Sequence, residues 1–175
     1  LDATAAALPL GGGSLPLLRR LRSPLKRRLG RLQVFALCDV DNPLYGPRGA
    51  AHSYAPQKGA RPAQVRLLDA GLRRLARLAA PDLAQQPGSG AAGGLGFGLQ
   101  AFAGAKLLPG AATLLALAGF DAHLAKADWV ITGEGCLDNQ TLRGKLPAVV
   151  AAQAKRRGIP CLVVCGKNKL SAKLA

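Results

Sequence analysis

The stretch from Ala127 to Lys145, Ala-Asp-Trp-Val-Ile-Thr-Gly-Glu-Gly-Cys-Leu-Asp-Asn-Gln-Thr-Leu-Arg-Gly-Lys, decides the fold class of this 175-residue chain. Its apolar run Trp129–Ile131 predicts a buried strand, and glycines and polar residues follow from Thr132 onward. Ligands of open α/β sheets bind at the C-terminal ends of the strands, so we predict a binding site here. An ordinary tight turn at Gly133–Gly135 is the alternative.

The flanking sequence predicts a strand–helix–strand unit. Lys145–Arg157 is predicted as a helix and Cys161–Cys165 as a second strand, and such a unit forms a parallel pair with a right-handed crossover. Pro62–Ala79 is a further predicted helix, because proline suits the first turn and leucines recur at helical spacing. The other predicted elements are a basic helix over Leu15–Leu29, a strand over Gln33–Cys38, a loop over Asp39–Ala60, and helices over Ala91–Ala103, Pro109–Ala118 and Asp121–Ala127.

The composition is that of a folded protein with a strong positive charge. Hydrophobic residues make up 49% of the chain, its net charge is +15, and no apolar run approaches the roughly 20 residues that span a bilayer. Residues 19–31 carry seven cations and no acid, which suits nucleic acid or an anionic surface, or else a solvated helical face. Aromatic residues are only 4%, so stacking platforms for single strands are not expected. We expect neither a membrane nor a nucleic-acid partner.

Cysteine and methionine usage bears on location and completeness. The four cysteines form no C-x-x-C pair, which gives little support to a zinc site and fits a reducing cytoplasm. The chain contains no Met, and we expect it to be part of a longer protein.

Two groups of residues offer chemistry for phosphoryl transfer. Asp39 and Asp41 follow the first predicted strand and face the same side of an extended backbone, where they suit Mg²⁺ or form a simple turn. Glu134 and Asp138 follow a later strand, and Lys145 supplies a charge that neutralises phosphate. Gly88–Gly93 matches G-x-G-x-x-G in form, but no strand is predicted before it, as a dinucleotide site requires.

The ordered motifs together resemble the type I glycerate kinase family, the glycerate 2-kinases. The matching stretches, in chain order, are Cys38-Asp39-Val40-Asp41-Asn42-Pro43-Leu44, Pro56-Gln57-Lys58-Gly59-Ala60, Pro87-Gly88-Ser89-Gly90-Ala91-Ala92-Gly93-Gly94-Leu95-Gly96, Val130-Ile131-Thr132-Gly133-Glu134-Gly135 and Gly144-Lys145. Cys136 departs from the family, since an arginine is usual at this position.

The resemblance implies a fold and an activity. The fold is α/β, with a flavodoxin-like domain and an inserted α/β domain, present here only in part: residues 1–119 would belong to the inserted domain and residues 120–175 to the flavodoxin-like domain. The activity is the ATP- and Mg²⁺-dependent phosphorylation of D-glycerate in organic-acid catabolism. A catalytically inactive remnant of such a kinase and a basic nucleic-acid-binding protein are the alternatives.

The resemblance also implies roles for individual residues. Catalytic roles fall to Asp39, Asp41, Glu134 and Asp138, and Asp41 and Glu134 would also hold the metal. Binding of substrate or nucleotide falls to Asn42, Gln57, Lys58, Gly90, Gly93, Gly133, Gly135, Gln140, Thr141 and Lys145. We expect the two carboxylate groups to line one cleft, and we expect the 175-residue chain alone to have little or no kinase activity.

Overall fold

The computed structural model describes residues 6–21, 29–139 and 141–170, with the side chain of Arg143 excepted. These residues form two compact units, one that ends at Leu108 and one that begins at Pro109. Each unit combines helices with a two-stranded sheet, so the chain is α/β, as predicted. The placement of the family's domain boundary between residues 119 and 120 stays a prediction.

The first unit is built around one long amphipathic helix. Its strands are β1 (Phe35–Cys38) and β2 (Lys106–Pro109), and its helices are α1 (Ala50–Tyr54), α2 (Pro62–Ala79) and α3 (Ala91–Ala103). Helix α2 has the bounds that the sequence predicted, because Pro62 begins it and its apolar residues face the core. The core groups Leu44, Ala76, Ala84 and Phe97, all of which are fully buried.

The predicted basic helix over Leu15–Leu29 is wrong in its first part. The chain forms a short 3₁₀ helix over Gly12–Leu17 and is not helical from Leu18 to Leu21, and the rest of the basic segment lies largely outside the described residues. The 3₁₀ helix packs directly on α2 because Gly71 carries no side chain there. A Cβ atom at Gly71 would lie 2.8 Å from the Cβ of Leu15.

The predicted loop Asp39–Ala60 is also partly wrong, since it contains α1 and a 3₁₀ turn over Pro56–Lys58. This segment is fixed by backbone hydrogen bonds to the first turns after α2. Leu44 N–H donates to Ala84 O at 2.8 Å, and Gly90 N–H donates to Asn42 O at 2.8 Å. The many polar residues of this segment predict a loop, but it contains a short helix whose two alanines, Ala50 and Ala51, are buried.

The second unit is the predicted strand–helix–strand arrangement. It contains α4 (Gly110–Leu117), α5 (Phe120–Leu124), β3 (Val130–Leu137), α6 (Leu146–Arg156) and β4 (Cys161–Asn168). Strands β3 and β4 are parallel, with Val130 opposite Cys161 and Glu134 opposite Cys165, which confirms the predicted pairing. Leu124, Val130, Val150 and Ala154 form its buried core.

Strand β3 is longer than the sequence predicted. It does not end at Thr132 but continues through Gly133-Glu134-Gly135 to Leu137. The alternative prediction, a tight turn at Gly133–Gly135, is therefore wrong as well. Side chains alternate along β3 up to Cys136: Val130, Thr132, Glu134 and Cys136 are buried or half-buried, and the residues between them are exposed. Glu134 therefore projects from the more buried face of the sheet.

Among the described residues, no helix is long and apolar enough to cross a membrane.

Candidate functional site

The second unit brings two predicted site residues, Thr141 and Lys145, to the carboxylate of a third, Glu134. Glu134 Oε1 accepts a hydrogen bond from Lys145 Nζ at 3.1 Å, and Glu134 Oε2 accepts one from Thr141 Oγ1 at 2.7 Å. Glu134 is placed by β3, Thr141 by a 3₁₀ turn and Lys145 by the position just before α6. Both oxygens of the carboxylate are thereby engaged, and one charge is balanced by a lysine.

Thr141 connects this cluster to the end of β3. Its side chain is 2% exposed, and its hydroxyl accepts a hydrogen bond from Asp138 N–H at 3.1 Å while it donates to Glu134. In return, Thr141 N–H donates to Asp138 Oδ1 at 3.2 Å. Asp138 and Thr141 therefore form a closed turn that holds the hydroxyl against Glu134. Gln140, predicted to bind substrate, lies outside the described residues.

Glycines flank Glu134 on both sides, and strand packing requires only one of them to lack a side chain. A Cβ atom at Gly133 would lie 2.9 Å from Val164 O on the neighbouring strand, whereas a Cβ atom at Gly135 would meet nothing within 4 Å. Gly133 is thus required for close approach of β4, a reason that involves no ligand. At Gly135 the structure leaves room for a ligand or for another part of the protein.

In the first unit, the loop after β1 is organised by its own polar side chains. Asp41 Oδ2 pairs with Arg48 at 2.8 Å. Asn42 Nδ2 donates to Arg48 O at 2.7 Å and to Ser53 Oγ at 3.0 Å. Asn42 Oδ1 accepts from Tyr54 Oη at 2.7 Å. The amide of Asn42 is therefore used within the loop, and its role as a substrate ligand stays a prediction.

Tyr54 was not singled out from the sequence. Burial raises the pKa of its hydroxyl above the usual value of 10.0, and Cys38 and Asp41 raise it further. The hydroxyl therefore stays protonated at neutral pH and donates to Asn42 Oδ1. The bond fixes the tyrosine ring on the loop that carries Asp39 and Asp41.

The predicted ligand-binding glycines of the first unit also divide into two kinds. A Cβ atom at Gly90 would lie 2.2 Å from Pro43 O. Because Gly90 has no side chain, the segment before α3 can pack directly against the loop after β1. Gly93 has φ of +78° and open space where a side chain would be, and it lines a cavity of about 340 Å³ together with Lys58. Gln57 lies in the adjacent 3₁₀ turn and is exposed.

Asp69 is a buried carboxylate that sequence reasoning missed. Its Oδ1 accepts a hydrogen bond from Gly46 N–H at 2.7 Å, and its Oδ2 lies 3.4 Å from Arg73. It fixes the loop that follows Leu44. The signal was present in the sequence, because Asp69 occupies the apolar face of α2 four residues after Val65 and three before Leu72.

The predicted metal ligands lie in different units, and each is engaged in an ion pair. Asp41 is paired with Arg48 and Glu134 with Lys145, and the described residues group no three His, Cys, Asp or Glu side chains that could hold an ion. Asp39, Asp41 and Asn42 lie in the first unit, and Glu134 and Asp138 lie in the second. The shared cleft and the Mg²⁺ site stay predictions.

Comparison with known proteins gives a consistent result. The model of the glycerate kinase family matches residues 1–175. A glycerate kinase of Halalkalibacterium halodurans is 45% identical over 161 residues, which are 89% of this chain and 42% of that protein. The glycerate 2-kinase of Escherichia coli K12 is 38% identical over 170 residues, which are 94% of this chain and 45% of that protein.

A solved structure supports the fold. A glycerate kinase 2 structure from Salmonella typhimurium LT2 superimposes with a TM-score of 0.76 at 41% identity, covering 95% of this chain and 46% of that chain. The chain thus spans about half the length of the relatives that it matches. The predicted fold class, present in part, is confirmed.

Proposed function

The chain belongs to the glycerate kinase family, and from this premise we propose that the whole protein transfers a phosphoryl group from ATP to D-glycerate. The observation that carries the proposal is the family match along all 175 residues, supported by relatives named glycerate kinase. We further propose that the reaction takes place in the cytoplasm, which fits four cysteines that are all free thiols.

The arrangement around Glu134 suits the electrostatic part of this reaction. Phosphoryl transfer depends mainly on positioning and on neutralising the charge of the transferred group. An ammonium group has three N–H donors, and the salt bridge to Glu134 at 3.1 Å takes one of them. We therefore assign Lys145 to a phosphoryl oxygen and assign Glu134 and Thr141 to holding the lysine in place.

We include Mg²⁺ in the proposal because this ion is usually bound together with the phosphates of a nucleotide. Mg²⁺ is usually bound by one or two carboxylates together with substrate phosphates, and the carboxylates proposed here are Asp41 and Glu134. Both are paired with cations in the described structure, and each carboxylate keeps further lone pairs that would suit a metal ion while its ion pair is retained. Asp39 and Asp138 remain candidate catalytic carboxylates.

A coupled ADP-release assay on the whole protein tests the proposal. We expect ADP release that depends on D-glycerate, and a strong loss of kcat in Lys145→Ala. Lys155→Ala is the matched control, because Lys155 is an exposed lysine on the helix that Lys145 precedes, and it should leave turnover unchanged. ADP release with a different sugar acid but none with glycerate would show that the substrate is wrong.

The same assay tests the isolated 175-residue chain. We expect it to have little or no turnover, because the acceptor, the nucleotide and the neutralising groups must be held together and the chain spans about half the length of its relatives. Turnover within about tenfold of the whole protein would mean that the groups of this chain suffice.

A further inference from the structure

An open cavity of about 460 Å³ lies in the first unit, and none of its lining residues has been assigned a role in the proposed reaction. The loop after β1 lines it with Tyr45 and Arg48, helix α2 with Arg73, and the turns before α3 with Gln85. It shares none of its described lining residues with the cavity of about 340 Å³ beside Lys58. We call it the two-arginine cavity.

The two-arginine cavity concentrates positive charge. Arg48 and Arg73 are the charged residues of its described lining, which contains no carboxylate. A concave surface lined by charges of one sign raises the local concentration of the opposite ion. Guanidinium groups suit carboxylates and phosphates in particular, because their N–H donors form a planar fork that binds two oxygens at once. The cavity therefore fits an anion.

Arg73 is held in place from two sides. Its guanidinium carbon lies 4.4 Å from the centre of the Tyr45 ring, and a guanidinium nitrogen lies 3.4 Å from Asp69 Oδ2. Asp69 is itself fixed, because it is 8% exposed and its other oxygen accepts a hydrogen bond from Gly46 N–H at 2.7 Å. A guanidinium has several N–H donors, so Arg73 keeps donors for a ligand. An arginine that is already ordered loses less side-chain entropy on binding.

Arg48 is held by polar groups of its own loop. Its guanidinium donates to Asp41 Oδ2 at 2.8 Å, and its backbone oxygen accepts a hydrogen bond from Asn42 Nδ2 at 2.7 Å. The ion pair is exposed to solvent, so a ligand can reach the remaining donors of Arg48 while Asp41 stays bound. Neither Asp41 nor Asp69 lines the cavity. An anion inside it therefore meets the two cations and not the carboxylates that pair with them.

We propose that the two-arginine cavity binds a small dianion, such as a phosphomonoester or a dicarboxylate, between Arg48 and Arg73. Two cations favour two negative charges over one, because each guanidinium then makes its own charge-assisted hydrogen bonds. The side-chain amide of Gln85 supplies a further donor at the same cavity. The inference does not rest on the proposed function, since these three residues take no part in the proposed reaction.

Isothermal titration of the whole protein with inorganic phosphate, malonate and acetate at constant ionic strength tests the inference. Phosphate represents phosphomonoesters, malonate represents dicarboxylates, and acetate is the monoanion for comparison. We expect at least one dianion to bind about tenfold or more tightly than acetate, and the tighter of the two identifies the ligand class. Arg48→Gln and Arg73→Gln should each weaken its binding about tenfold or more. Arg77→Gln is the matched control, because it removes an exposed arginine one turn further along α2, and it should leave the affinity unchanged.

Modification of arginines by phenylglyoxal, followed by peptide mass spectrometry, locates the bound dianion in the unaltered protein. The dianion should protect Arg48 and Arg73 over the concentration range of the titration, and it should leave the exposed Arg66 and Arg77 reactive. This measurement requires no substitution. It therefore decides the question even if Arg73→Gln, which removes a partner of the buried Asp69, fails to fold.

Equal dianion affinities in Arg48→Gln, Arg73→Gln and Arg77→Gln would overturn the inference, and so would a saturating dianion that protects neither Arg48 nor Arg73. Absence of dianion binding to the unaltered protein, or acetate binding as tight as that of both dianions, would overturn it as well. Glycerate-dependent ADP release is measured separately. Its absence would contradict the proposed function and would leave the dianion site standing.

Discussion

The hydroxyl of Thr141 should contribute measurably to the stability of the second unit. Replacing Thr141 by Val keeps the shape of the side chain and removes the group that donates to Glu134 at 2.7 Å and accepts from Asp138 N–H at 3.1 Å. Thr141→Ser is the matched control, since it keeps the hydroxyl and removes only a methyl group.

The magnitude follows from the two hydrogen bonds. A hydrogen bond to a charged group contributes about 1.5–3 kcal/mol, and leaving a buried N–H without a partner costs about 1–3 kcal/mol. Lys145 still pairs with Glu134, which limits the loss, so we expect about 2–4 kcal/mol for Thr141→Val. Loss of one buried methyl group in Thr141→Ser should cost about 1 kcal/mol.

Denaturant unfolding followed by tryptophan fluorescence measures this difference. Trp129 is the single tryptophan of the 175-residue chain and lies next to β3, so its signal reports on the second unit. We expect a lower midpoint for Thr141→Val than for Thr141→Ser with an unchanged m-value. Equal midpoints for the two variants would refute the assignment of the hydroxyl as the connector of Glu134 and Asp138.

Two pairs of substitutions test the glycine-rich segment of the first unit by thermal unfolding. Gly90→Ala should destabilise the chain by about 3 kcal/mol or more, because the new Cβ atom would lie 2.2 Å from Pro43 O; Gly98→Ala, with nothing within 4 Å, should stabilise it by up to about 1 kcal/mol. Ala92 has φ of +50° and is exposed. Ala92→Gly therefore relieves about 1–2 kcal/mol of backbone strain, whereas the greater entropy of the unfolded chain costs about 0.4–1 kcal/mol. The substitution should be stabilising. Ala70→Gly at an exposed position inside α2 should instead cost about 1 kcal/mol; equal effects within either pair would contradict the described backbone.

The sequence predicted elements best where local signals agree with packing. Helix α2 has the expected bounds because its first-turn proline and its apolar spacing favour the same start and the same face. Strand β2 was missed because its four residues begin with an exposed lysine and end with a proline. The end of β3 was misplaced because glycines usually signal a turn, whereas Gly133 here serves the close approach of β4.

The candidate site was predictable by residue type but not by partner. Glu134, Thr141 and Lys145 were singled out as polar residues after a strand, and the structure brings them together. Their order of contact depends on the turn after β3 and could not be read from spacing. The resemblance predicts Asn42 as a ligand, but the short helix α1 brings Tyr54 and Ser53 to its amide, and no local sequence signal predicts this helix.

The alternation of side chains along β3 makes the length of this strand more important than most of its residues. A single-codon deletion between Val130 and Glu134 would shift the register by one and move every following side chain to the opposite face. Glu134 would then leave Thr141 and Lys145, although every amino acid of the site would still be encoded. In a selection experiment on a variant library, in-frame deletions here should be depleted more strongly than substitutions at exposed Ile131. Selection would then act on the length of this segment as well as on the identity of its amino acids.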